Sequence, residues 1–294
     1  MPTRFRNGLS AALIALACLL VPFGTLAAWA AYGLADTGRY VTTMAPLADD
    51  PAVREAVADT VGTGIMEEID VGPLRATVAP FVHDAVRSFT RTEAFRTAWD
   101  SGNRALHDAV LHALHRDDLR PVTVDLAPVT AQVRRQLADD HMPLAQRIPV
   151  EHTAVAVFPA RELAHFRKGF HVLEVAGFWL PLTAAVLAVA GIAVAACRRR
   201  AVTATALGTA LGGAFLCLAI AIGRRLTLAD LSDEVHRPAA GAVYDALTAT
   251  LRTVSWILVA VGLTVALACH LLRRRRASPA PTPDPAQEPT RARA

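Results

Sequence analysis

The sequence predicts a mainly α membrane protein: four transmembrane helices, with a mostly helical extracytoplasmic domain that includes a small two-stranded β element. Three observations carry this. Four blocks, near residues 9–34, 176–196, 201–222 and 254–272, are almost free of ionisable side chains. Each runs for about 20 residues or more, the length that crosses about 30 Å of hydrocarbon as a helix. Arginine collects at one set of block ends. Between the first two blocks lies a long stretch with the caps and periodicities of water-soluble helices.

The order that follows is a cytoplasmic N-terminus at 1–8, a first span at 9–34 and an extracytoplasmic helical domain at 35–171. A second span at 172–197, a cytoplasmic turn at 198–200 and a third span at 201–222 come next. An extracytoplasmic helical loop at 223–253, a fourth span at 254–272 and a disordered cytoplasmic tail at 273–294 complete it. Within hydrocarbon a backbone must satisfy its own hydrogen bonds, so each span is read as a helix.

Arg4 and Arg6 precede the first span; Arg198, Arg199 and Arg200 separate the second from the third; Arg273 to Arg276 follow the fourth. With Arg291 and Arg293, against Asp284 and Glu288, these segments total +9, whereas residues 36–170 carry a net −4. The positive-inside rule then places both termini in the cytoplasm and the domain outside the cell membrane. Trp29, Tyr32, Phe178, Trp179 and Trp256 fall at the predicted outer span ends, where amphipathic rings favour the interface. Arg224 and Arg225 at the outer end of the third span count mildly against that orientation. "RFRNG" and Ala28-Trp29-Ala30 imitate a secretory signal, but the apolar run exceeds a signal core, so the segment is read as a retained anchor.

A pI near 9.2 invites a nucleic-acid reading. The basic charge lies instead in short juxtamembrane clusters, which stop spans and meet anionic headgroups, so the lipid bilayer is the expected partner and nucleic acid is not. Cys18, Cys197, Cys217 and Cys269 all lie in or beside spans, so the domain has no disulfide to lean on.

Within the domain, Asp50 is the natural N-cap and Pro51 the first residue of a helix. Val53, Val57, Val61, Ile65 and Ile69 would form its apolar face, and Gly62 and Gly64 weaken its second half. Gly72-Pro73 restarts the chain, and 74–88 is a second helix that Pro80 breaks or begins. Thr90-x-x-Glu93 fits a capping box for a third, with Phe95, Trp99, Leu106, Val110 and Leu114 on one core face. "PVTVDL" and "HTAVAVF" alternate as two short strands expected to pair, and "RQLADDHMPLAQRIPV" connects them. Pro238 opens a helix expected to run on into the fourth span and pack against the domain. After Arg276, alternating Pro and small polar residues cannot bury a core.

Chemistry has one candidate. Asp108, His112 and His115 in "HDAVLHALH" share a helix face and supply two imidazoles and a carboxylate, a donor set for a transition metal. A solvated polar face explains the same spacing, and no HExxH pattern accompanies it. His83-Asp84, Glu151-His152 and His165 are scattered, and no GxSxG, Walker loop or dinucleotide fingerprint occurs. Span interiors hold only Thr, Ser255 and thiols, with Glu174 and His270 at the ends, so an ion path through this chain alone is not expected. Gly208-x-x-x-Gly212 permits close helix approach, within the bundle or across a homodimer.

"YVTTMAPLADDPAV", "FRTAWDSGNRALHDAVLHAL" and "VTVDLAP", with Lys168 as the one lysine, make the chain resemble functionally uncharacterised actinobacterial four-span membrane proteins. The resemblance implies the architecture and no activity, cofactor or catalytic residue. The leading expectation is a non-enzymatic protein whose outer domain binds a protein partner or senses an envelope state. It requires an exposed apolar or aromatic patch there. The alternatives are a metal-dependent extracytoplasmic enzyme using Asp108, His112 and His115 with His83 as a further ligand, and an accessory subunit of a transporter.

Overall fold

The structure is a computed structural model that describes residues 3–68, 72–115, 122–125, 131, 135, 154–158, 160–231, 234 and 236–277. The expectations for 136–150, Glu151-His152, Ile69 and the tail after 277 lie outside the described residues. Among the described residues four helices are long and apolar enough to cross a membrane, over Arg4–Leu34, Gly169–Val194, Arg198–Asp230 and Arg237–Leu272.

The first is α1, Thr3–Trp29, which runs on through a π-helical turn at Ala30–Leu34. Then come α2 (Thr37–Met44), a 3-10 turn (Ala45–Asp49), α3 (Pro51–Glu68), a 3-10 turn (Gly72–Leu74), α4 (Arg75–Phe89) and α5 (Glu93–His115). Strands β1 (Val122–Asp125) and β2 (Ala154–Phe158) pair antiparallel, with an irregularity between Val122 and Thr123. The remaining helices are α6 (Ala160–Val194), α7 (Arg198–Asp230) and α8 (Arg237–Ala277).

Small residues set the bundle. In lipid, helices gain little from burying apolar surface against one another, so close approach at glycine supplies the packing. Gly177 and Gly191 of α6 meet Ala27, Ala31 and Ile14 of α1. Gly208 and Gly212 of α7 meet Cys18, Val21 and Pro22 of α1, and Gly213 of α7 lies under the Ser255 carbonyl of α8. The Gly208 and Gly212 surface therefore packs on α1 of the same chain, the within-bundle use of the motif. Ser10 donates to the Gly191 carbonyl at 2.7 Å, and Ser255 to Leu251 of its own helix, so the buried hydroxyls are satisfied. Large apolar side chains such as Leu19, Val186, Leu211 and Val261 point outward, as a bundle in hydrocarbon requires. All four cysteines are free.

The predicted helical loop at 223–253 consists of two helical extensions, the second running into the fourth span as expected and the first continuing the third span. Helix α7 continues to Asp230, and α8 starts at Arg237, before Pro238. Arg224 and Asp245 tie the extensions together at 3.0 Å, with Arg252 reaching the same carboxylate at 4.0 Å. That pairing neutralises Arg224, one of the two arginines that count against the predicted orientation. The turn between α6 and α7 falls at 195–197, and the arginines of 198–200 open α7. Helix α8 also continues through Arg273–Ala277, because arginine is a good helix former and its charge suits a helix C-terminus.

Asp50 caps α3 as its side-chain chemistry requires, accepting from the N–H groups of Ala52 (2.8 Å) and Val53 (3.2 Å). The buried residues of α3 are Val53, Ala56, Ala58, Gly62 and Met66, while Val61 is exposed. The predicted single stripe fails because α3 has a partner on each of two sides. Val53 and Ala56 join Met44, Leu47 and Ala239 in the main core cluster, and Gly62 faces His83 of α4. Pro80 neither breaks nor begins α4, which runs through it. The cap of α5 is Thr92, whose Oγ1 accepts from Phe95 N at 3.3 Å; Thr90 donates back to the Arg87 carbonyl instead. Only Ala94 and Phe95 of α5 are buried, and Leu106 is 37% exposed. The predicted stripe slips because α5 meets α2 along Trp99, Asn103 and His107, a seam chosen by hydrogen bonding as much as by apolarity.

Candidate functional site

Asp108, His112 and His115 do not converge. Asp108 Oδ1 accepts from the Thr37 hydroxyl at 2.6 Å, which turns it toward α2. The Nδ1 atoms of His112 and His115 sit 2.7 Å from the carbonyls of Asp108 and Leu111, one turn back on their own helix, and the His115 ring also meets Phe170 edge-on. His83 is elsewhere, 4.0 Å from Asp59 on α3. Among the described residues no group of three His, Cys, Asp or Glu side chains is placed to hold a metal ion. The carboxylate of the trio is used for docking two helices.

That docking is the first notable region. The π-helical turn that ends α1 leaves the Leu34 carbonyl without a helical partner, and His107 Nε2 takes it at 2.8 Å. A carbonyl only accepts, so Nε2 carries a proton. His107 Nδ1 is 3.1 Å from Thr37 Oγ1, and the Tyr40 ring stacks on the imidazole with centroids 4.3 Å apart. Burial pushes the Tyr40 hydroxyl above its ordinary pKa, so it stays protonated across neutral pH. The first span is thereby joined rigidly to α2 and α5. Periodicity alone missed His107, since it separates polar from apolar positions and says nothing of a carbonyl freed 73 residues away.

Helix α4 is the second region. Gly72, at φ +51°, turns the chain with a backbone that side-chain-bearing residues avoid, and α4 then lies along α3. Its inner side is held by small and charged contacts. A Cβ at Gly62 would stand 2.7 Å from His83 Nδ1, so only glycine lets the ring in. Arg87 bridges to Glu55 of α3 through two hydrogen bonds, at 2.6 and 3.0 Å. No residue of α4 is buried. Its outer side is apolar: Leu74 just before the helix is 62% exposed and Phe81 is 76% exposed. At 100° per residue Leu74, Val78, Phe81 and Ala85 lie within a narrow arc of one another.

The Glu55–Arg87 bridge gives α4 a pH dependence. Hydrogen bonding from Arg87 holds the Glu55 carboxyl below its ordinary value of 4.5. A depressed folded pKa means the contribution is present above the unfolded value and is lost as pH falls through the folded one. Glu55→Gln should therefore loosen α4 at pH 7, read as faster amide exchange over 75–89. The difference from the parent should vanish in acid below the depressed value and shrink at high salt, because the pair is exposed. Equal exchange at neutral pH would show that the bridge does not hold the helix.

Comparisons with protein families, with curated proteins and with solved structures give no match.

Proposed function

We propose that this is a multi-pass cell-membrane protein, with both termini in the cytoplasm, that presents its helical domain outside the membrane to bind a protein partner through α4. The arginine distribution and the aromatic span ends support the orientation. One observation carries the reading: Phe81 and Leu74 leave an apolar stripe on a helix with no buried residue, which among the described residues packs mainly on α3. An exposed aromatic of this kind, beside apolar neighbours on one helix face, is the anchor geometry of helix-mediated recognition.

A photo-reactive residue at Ala85, within the stripe and one turn from Phe81, tests this in intact membranes. Crosslinking should yield a second protein, and Phe81→Ser should reduce that adduct by more than about tenfold, as loss of an anchor worth about 2 kcal/mol does. Phe81 is exposed, so the variant should retain its fold. Adducts only with lipid or with the chain itself would overturn the reading. A transport protein as the captured partner would make this chain its accessory subunit.

A further inference from the structure

The outer half of the bundle holds two adjoining cavities that use different chemistry. A groove of about 320 Å³ lies between α1, α7 and α8, lined by Phe23, Leu26, Trp29, Leu216, Ala219 and Leu251 among others. Gly212 against Pro22 and Gly213 against Ser255 fix the register of these helices, which places the groove within the spans on the side of the domain. Its two hydroxyls are already used: Tyr244 donates to the Ile220 carbonyl at 2.9 Å and Thr248 to the Tyr244 carbonyl at 2.7 Å. What remains is a hydrocarbon surface at hydrocarbon depth.

The second cavity, about 410 Å³, shares Trp29 as a wall. It opens where α1 ends and α2 begins, and Leu247 and Thr250 of α8 continue the face that Thr248 and Leu251 present to the groove. This chamber is more polar than the groove and carries both signs of charge, with Asp36 and Arg39 on its wall. The Asp36 carboxylate caps α2 by accepting the Arg39 backbone N–H at 2.7 Å. Among the described residues neither Asp36 nor the Arg39 guanidinium has an ion-pair partner, and the Trp29 indole N–H has no acceptor. Both cavities fall in the size range of about 300–1,000 Å³ typical of small-molecule sites.

We propose that the two cavities together bind one glycerophospholipid with an aminoalkyl phosphate headgroup. An acyl chain occupies the groove. The phosphate meets the Arg39 guanidinium, whose fork suits phosphate oxygens, together with the Trp29 N–H. The headgroup ammonium meets Asp36. A purely anionic headgroup would place uncompensated negative charge beside that carboxylate, so the chamber selects a zwitterion. The site is distinct from the α4 surface, and its failure would leave the partner-binding reading intact.

The full-length protein, reconstituted in bilayers of equal phosphatidylethanolamine and phosphatidylglycerol and then washed with detergent, should retain phosphatidylethanolamine by native mass spectrometry. The preference should be about fivefold, the size of one partly solvated ion pair. Asp36→Asn keeps the helix cap, since asparagine caps as well as aspartate, and should reduce the preference to none. Ala219→Phe fills the groove and should abolish retention of either lipid. Equal retention of the two lipids by the parent, no retention, or an unchanged preference in Asp36→Asn would overturn the proposal. If Ala219→Phe fails to assemble, Asp36→Asn still decides it.

Discussion

Gly262→Val should prevent the third and fourth spans from assembling, seen as loss of monodisperse protein in detergent. Even Gly262→Ala should cost about 3 kcal/mol against denaturation, the upper part of the usual overpacking range. A Cβ at Gly262 of α8 would stand 2.5 Å from the Ala206 carbonyl oxygen and 2.8 Å from both Ala210 N and Ala210 Cβ on α7. Backbone and alanine atoms cannot swing aside, so the helices must separate along a seam that also contains Gly213 and the Ser255 carbonyl. Separation gives up dispersion contacts and regains only contacts with lipid, which is a poor exchange where packing is the main attraction. Gly64→Ala is the control. Its Cβ meets nothing within 4 Å, and in a helix it should stabilise by roughly 0.5–1 kcal/mol. Equal yields for Gly262→Val and the parent would show that α7 and α8 do not rely on this contact.

The seam shows what periodicity can and cannot disclose. The four apolar blocks were legible because span length and the absence of charge are local properties, and Asp50-Pro51 was legible because capping is local too. Pro238 marked the start of α8 and its packing on the domain for the same reason: the apolar positions that follow it, Ala242, Val243, Ala246 and Leu247, meet Met44, Leu47, Val53 and Ala56. Partner choice was not legible. Gly208 and Gly212 read as a contact motif, but nothing in their spacing says that Cys18 and Pro22 receive them. Likewise Asp108, His112 and His115 share a face by arithmetic, yet each side chain answers to a different neighbour: Thr37, the Asp108 carbonyl and the Leu111 carbonyl. The Thr90 and Thr92 alternatives differ by two residues, and only the chain's path through Phe89 to Glu93 selects Thr92. The apolar stripe on α4 was expected in kind and could not be placed, because a lone Phe81 in sequence reads equally well as core.

Trp99→Ala should unfold the domain locally while leaving the bundle in place. The indole packs on Phe95 with centroids 6.1 Å apart and against the cluster of Met44, Leu47, Val53, Ala56 and Ala239. Its N–H donates to the Met44 carbonyl at 2.9 Å, at the point where α2 gives way to the 3-10 turn. Removing the ring deletes apolar contact and leaves a carbonyl unpaired, for about 3 kcal/mol, the low end for a large aromatic because Trp99 is only half-buried. Trp99→Phe separates the two contributions: it keeps most of the contact and should cost about 1 kcal/mol for the lost hydrogen bond. Amide exchange is the discriminating readout, since protection follows local opening. In Trp99→Ala it should rise over 37–60, over 93–107 and over 237–247, the part of α8 that enters the cluster through Ala239. It should stay unchanged over 255–267, where α8 rests on α7. Faster exchange along the whole of α8 would mean that the domain and the bundle unfold as one unit, and that the cluster around Met44 supports both.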